Sequence, residues 1–280
     1  GVQTCALPIW LVALVLLSAL MHAGWNFLVK RGDDSHLDTA LIALGSSLIA
    51  AVLLPFVPAL NSACYPLLIL SIIVHVAYYL TLASAYQHAD LSLAYPLMRG
   101  IAPVMLACFA VMTGEVLTAM QALGIALIAS GILMPAWVGK PWKNRKGVLF
   151  AILNAAIIAT YTLLDGMGVR LANQAVSYIL WLFFFNSWAI LSILIWQRGF
   201  SEIVSQSRIR WRTTLMGAGM SMGSYGIVLW AMTQTTIPAV AALREVSVIF
   251  AALLGAWFLK ESMGRWRIVG ASLVGLGAAV

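Results

Sequence analysis

The chain has 280 residues, of which 62% are hydrophobic and only 9% charged, whereas a soluble domain carries about 25% charged residues. So few polar side chains cannot cover a globule of this size, which excludes a water-soluble fold and makes lipid the outer solvent. The formal charge of +7 comes from 16 Lys and Arg against 9 acids, and most of these cations fall in short connections between apolar runs, the pattern of a topology signal rather than of a nucleic-acid-binding face.

In chain order, the opening segment GVQTCALPI has neither the basic stretch nor the cleavage site of a signal peptide and is expected to be non-native. Apolar runs then follow at 7–29, 37–58, 65–86, 91–112, 117–138, 147–168, 176–196, 213–233, 237–259 and 267–280. Lipid offers no backbone partners, so each run is predicted to be helical. The last holds 14 residues from Arg267 to Val280, about 21 Å of helix against a core of roughly 30 Å, and is expected to be truncated. Cys5, Cys64 and Cys108 are widely spaced and read as small core residues without disulfides or a metal pattern.

Thirteen of the Lys and Arg fall in odd-numbered connections, against Arg170 alone in the even ones. The positive-inside rule then puts the odd connections in the cytoplasm and both termini outside. The chain also repeats itself. Residues 90–131 align with 236–277: Arg99 falls on Arg244, Glu115 on Glu261, Gly124 on Gly270 and Gly131 on Gly277, with one single-residue gap. HAGWNFLVK (22–30) aligns with IATYTLLDG (158–166). Two halves of five helices have opposite orientations, because five is odd. The predicted fold is therefore an all-α integral membrane protein of ten transmembrane helices, built as two inverted five-helix repeats over 7–138 and 147–280.

These residues resemble the drug/metabolite transporter superfamily, specifically its ten-helix proteins with two EamA domains. The likeness rests on HAGWNFLVK in the first run, AYPLMRGIAPV (94–104) in the fourth, LREVSVIFAALLGAWFLKE (243–261) in the ninth, and the glycine-spaced fifth and tenth runs. It implies secondary transport or export of a small metabolite across a cell membrane, a bacterial inner membrane in the first instance, by a monomer or homodimer. It implies no cofactor and names no substrate. Many relatives carry their basic residues in the even connections, and this chain does the reverse.

Arg99 and Arg244 each lie seven or eight residues into their runs, about 10–12 Å below the surface where those runs begin. A charge at that depth costs about 2.5–3.5 kcal/mol and calls for a partner or a wet cavity. Either the two line a central site that attracts an anionic or zwitterionic solute, or each is structurally paired, Arg244 with Glu245 or Asp165. His22 and Asn26, four apart on one helical face, flank Trp25. With Tyr161, Trp181 and Asn186 they are further candidates for substrate contact, and Trp188 and Trp230 for cavity lining. Glu245, Asp165 and His75 are the candidates for proton coupling, with Asp165 expected near the water at the outer end of its helix. Core hydrogen bonding is the competing role for both histidines. Glu115 and Glu261 read as surface or capping residues, Pro96 and Pro103 as kinks around Arg99. Gly219 and Gly223 form a G-x-x-x-G of close helix contact. No metal set is expected: Asp33-Asp34 is the only adjacent acid pair, and no second set faces it, which argues against an intramembrane enzyme. A flippase for a lipid-linked substrate is the alternative to a small-solute transporter.

Overall fold

A computed structural model describes residues 8–89, 91–138, 145–258 and 264–279. Cys5, Lys140, Lys143, Lys260 and Glu261 lie outside the described residues. The described chain is all helical: α1 (Ile9–Arg31), α2 (Ser35–Leu53), α3 (Tyr65–His88), α4 (Leu91–Met112), α5 (Ala119–Val138), α6 (Arg145–Leu171), α7 (Ala175–Arg198), α8 (Phe200–Ile209), α9 (Trp211–Ala231), α10 (Ile237–Arg244), α11 (Ser247–Phe258) and α12 (Arg265–Ala279). Among the described residues, seven helical stretches are long and apolar enough to cross a membrane, one of them running across α10 and α11; Ala119–Met134 and Ile268–Ala279 are shorter apolar helices. Large apolar side chains such as Leu48, Val52, Ile69, Ile73, Leu149 and Ile193 face outward along these helices. In water such a surface would be an aggregation patch, and in a bilayer it is the lipid contact. The chain is an integral membrane protein of multi-pass type.

One expected run and one expected connection take a different form. The ninth, read as one helix over 237–259, is split between Arg244 and Ser247. There the backbone bonds shorten to three-residue steps, Glu245 N–H to Ala242 C=O (2.9 Å) and Val246 N–H to Leu243 C=O (3.2 Å), a tighter turn that interrupts the α ladder. Between the seventh and eighth runs lies α8, where only a connection was expected. Gly199, at φ 84°, makes the turn from α7 into α8 with a backbone that side-chain-bearing residues rarely adopt.

Helices pack in pairs that mirror one another between the two halves. α1 lies against α9 while α6 lies against α3; α6 also packs on α4 as α1 packs on α11; α2 meets α7, and α5 meets α12. The last two pairs run antiparallel. From one end of the α2–α7 pair to the other, Asp34 meets Arg198, the Ser47 hydroxyl donates to Phe184 C=O at 3.1 Å, and Ser177 donates to Pro58 C=O at 2.9 Å. At the α5–α12 seam, the Gly131 Cα faces Gly270 C=O and the Gly277 Cα faces Gly124 C=O, so close that a Cβ would stand 2.5 and 2.6 Å from those oxygens. The G-x-x-x-G of α9 is only half used: a Cβ at Gly223 would strike Met21 of α1, whereas Gly219 opens onto empty space. Cys64 is buried as expected, but Cys108 is exposed on the outer side of α4, where a small, weakly polar thiol costs little against lipid.

Ion pairs fasten odd connections to odd and even to even. Arg198 pairs with Asp34 and Arg210 with Asp38 at 2.8 Å, tying the α1–α2 turn to the α7–α9 region. On the even connections, Arg170 pairs with Glu115 and donates from Nε to Met232 C=O (2.7 Å) and from Nη2 to Thr235 C=O (2.6 Å). Glu115 accepts the Ile237 N–H at 3.0 Å, capping the first turn of α10. Gly114, at φ 96°, ends α4 and turns Glu115 back toward its partners, with the Glu115 N–H bonded to Ala110 C=O at 2.9 Å, a helix stop that relieves an otherwise unpaired carbonyl. The capping role expected of Glu115 holds, but the helix that it caps belongs to the other half.

Asp34 caps α2 by accepting the Leu37 N–H at 3.0 Å. That bond first, and then Arg198, hold its carboxyl below the usual carboxylate range. A lowered folded pKa stabilises the native state above the unfolded value and loses that contribution as pH falls through the folded one. Asp34→Ala is therefore expected to cost about 1 kcal/mol near neutral pH. The difference from wild type should begin to shrink as pH drops below about 4 and vanish only below the lowered folded value, read by unfolding in mixed micelles.

Candidate functional site

The site forms where the α10–α11 break meets α1, α4 and α6. Arg99 is the ninth residue of α4 and Arg244 the last of α10; each is 9% exposed. α4 runs unbroken through Pro96 and Pro103, on either side of Arg99. Arg99 Nη2 and Glu245 Oε1 make an ion pair at 2.9 Å, with both side chains about nine-tenths buried. Glu245 thus neutralises the arginine of the other half and not its neighbour in sequence. It can do so because the break turns it away from Arg244.

Arg244 makes no ion pair among the described residues. Its guanidinium lies 5.3 Å from the Tyr225 ring centroid, and Nη2 is 3.4 Å from His22 Nδ1. Trp25 Nε1 also donates to His22 Nδ1, at 3.3 Å. Both partners are donors only, so Nδ1 must carry the lone pair and the proton of a neutral ring sits on Nε2. Asn26 donates back to His22 C=O at 2.7 Å and stays within its own helix. Neither Glu245 nor Asp165 pairs with Arg244, contrary to the structural pairing considered from sequence. A neutral imidazole and an aromatic face stand where an acid would be expected.

Asp165 of α6 is fully buried, not water-reached, and this corrects its expected position. Tyr225 donates to it at 2.7 Å and Tyr178 at 3.1 Å, so two phenols take the place of solvent. The sequence reading missed both tyrosines, Tyr178 in an aromatic-rich run and Tyr225 in a glycine- and methionine-rich one, each with no charge beside it. His75 is buried against Tyr161, ring centroids 4.1 Å apart, and its Nδ1 bonds Ser71 C=O at 2.9 Å. Tyr161 also meets Tyr78 edge-on, ring centroids 5.8 Å apart. Eight of the sequence candidates therefore gather here, from both halves of the chain: Arg99, Arg244, Glu245, His22 with Trp25, Tyr161 with His75, and Asp165.

Others do not join them. Trp181 stacks on Phe185 (5.5 Å, 16°) in a ladder that continues to Phe184 and Trp188. Trp188 is half exposed on the outer side of α7 and belongs to the lipid contact, not to a cavity. Trp230 packs against Trp10 (5.8 Å). Asn186 makes no hydrogen bond or ion pair with either arginine, although its buried Oδ1 has no partner among the described residues.

Within the cluster, the Nε atoms of Arg99 and Arg244 and Oε2 of Glu245 are buried without a hydrogen-bond partner among the described residues. Each such atom costs about 1–3 kcal/mol, and of the two arginines only Arg99 has an ion-pair partner among the described residues. The arrangement can accept an anion at the guanidinium groups and a donor at Glu245.

A polytopic helical protein with buried charges gathered at a broken helix is the class that fold and site define. A model of the EamA-like transporter family matches residues 145–280, the second part of the chain, and identifies that part as EamA-like. A solved crystal structure superposes on 96% of this chain and 95% of its own length with a TM-score of 0.73 at 16% identity; at that identity the likeness is one of fold. No curated protein matches the sequence significantly.

Proposed function

We propose that the protein is a secondary transporter or exporter of a small anionic or zwitterionic metabolite, working by alternating access between two inverted five-helix repeats in a cell membrane. The observation that carries the reading is Arg244, a buried guanidinium without an ion pair among the described residues, next to an Arg99–Glu245 pair with unfilled polar atoms on both partners. A substrate carboxylate supplies what the two Nε groups lack, and a substrate ammonium or hydroxyl supplies Glu245 Oε2. The inverted duplication is supported by the mirrored helix pairs and by the antiparallel α2–α7 and α5–α12 contacts, since equivalent helices of an inverted repeat run in opposite directions. Among the described residues, odd connections are fastened to odd and even to even, which supports the alternation of the ten runs across the bilayer. Glu245 and Asp165 are the carboxylates that carry coupling protons in this reading, and His22 and His75 stand beside them.

The test is uptake or exchange in proteoliposomes against a panel of amino acids, organic acids and amines. Arg244→Gln is expected to lower transport of the accepted solute at least tenfold, with Arg244→Lys retaining part of it. Wild-type rates in Arg244→Gln would remove the basis of the anion site. Movement of lipid-linked substrates alone would favour the flippase.

A further inference from the structure

α8 is amphipathic and sits outside the transmembrane bundle. Its Ile203 is 2% exposed and packs with Leu37, Ala40, Leu41 and Leu194 in a small separate core. Away from that core, Phe200 (67% exposed) and Ile209 (71% exposed) project outward. A groove of about 510 Å³ on this side is lined by Phe200, Ser201, Val204, Ser205, Arg208 and Ile209. Ser201, Ser205 and Arg208 follow one another at helical steps of four and three and so share one stripe, with the apolar residues on its flanks.

The charges around the groove are unbalanced. On this face Asp34 is taken by Arg198, Asp38 by Arg210, and Glu202 stands 3.8 Å from Arg198. Arg208 and Arg212 have no acid partner among the described residues. Arg212 instead lies 5.3 Å over the ring of Trp211, which is half exposed at the start of α9. A tryptophan and two unpaired arginines beside an outward apolar lip match the water–lipid boundary and not open solution.

We propose that α8 and the first turn of α9 form a binding site for the headgroup of an anionic phospholipid. Its phosphate meets Arg208 and Arg212 with Ser201 and Ser205 beside them, and its acyl chains follow Phe200, Val204 and Ile209. Charge complementarity selects the occupant. A zwitterionic headgroup would bring its own cation against two arginines, and a free phosphate would leave the apolar lip without a partner. The leaflet on the side of the odd connections is the one that the positive-inside reading places in the cytoplasm, where anionic lipid attracts basic segments.

The full-length protein in nanodiscs of phosphatidylcholine with a minor fraction of phosphatidylglycerol is extracted and its bound lipids are counted by native mass spectrometry. Wild type is expected to retain phosphatidylglycerol over phosphatidylcholine. At about fivefold per charge, R208Q/R212Q should lower that ratio by about 25-fold. R208K/R212K should keep it, and so should Arg265→Gln at the other basic end of the chain. Inorganic phosphate at millimolar concentration should leave the lipid in place. A wild-type ratio in R208Q/R212Q, an equal loss in Arg265→Gln, or displacement by phosphate alone would each overturn the assignment.

Discussion

Removing Glu245 alone, as Glu245→Leu, is expected to destabilise the protein by about 3–5 kcal/mol, because it strands the Arg99 charge in a buried setting. Arg99→Met should cost a similar amount by stranding the carboxylate. The double variant Arg99→Met/Glu245→Leu should recover most of the loss, since an apolar pair of similar volume asks for no desolvation of charge. The pair spans the two halves of the sequence, so the coupling energy from this cycle also measures how strongly they are held together at the site. Equilibrium unfolding in mixed micelles provides the four free energies. Purely additive effects would mean that the two groups do not interact. Transport should fail in all three variants, and the double variant separates loss of function from loss of folding.

The second large effect belongs to the α5–α12 seam. Gly131→Leu or Gly277→Leu puts a side chain where backbone oxygens stand 2.5 and 2.6 Å from a single Cβ. A carbonyl in a helix cannot step aside as a methionine tip can. Each substitution is expected to cost about 1–3 kcal/mol, or more if the helices separate. Gly275, also on α12 but with open space around its Cβ position, is the control, and Gly275→Leu should melt with wild type. The measurement is the thermal midpoint in detergent. An unchanged midpoint for both seam variants would contradict the close approach.

The glycines of this seam were legible in the sequence because their spacing repeats between the halves, and Gly124, Gly131, Gly270 and Gly277 meet as reciprocal partners. The apolar runs were legible for the same reason that the membrane is: lipid leaves the backbone no choice but a helix. The break after Arg244 was not. No proline or glycine marks it, and an apolar run interrupted by Arg244 and Glu245 reads the same whether or not its helix is broken there. Helix α8 hid among polar residues, its moment carried by Phe200, Ile203 and Ile209 alone. In the site, arginine and glutamate stood out by the cost of burying them. Tyr178 and Tyr225 did not, because phenols are at home in an aromatic membrane sequence until an acid such as Asp165 is found between them. Asp165 was misplaced by judging depth from the end of its run, when α6 in fact continues to Leu171.

The fastening of α10 gives that short helix a mechanical character. Its first residue is moored through Glu115 to Arg170, at the tip of the helix that holds Asp165, while its last residue stands at a break. An eight-residue rod is about 12 Å long, so a swing of about 10° around the mooring carries the far tip by about 2 Å, enough to open contacts of 2.9 Å and 3.4 Å at the far end. A single short helix thereby joins that mooring at one end of the bundle to the buried guanidinium of Arg244.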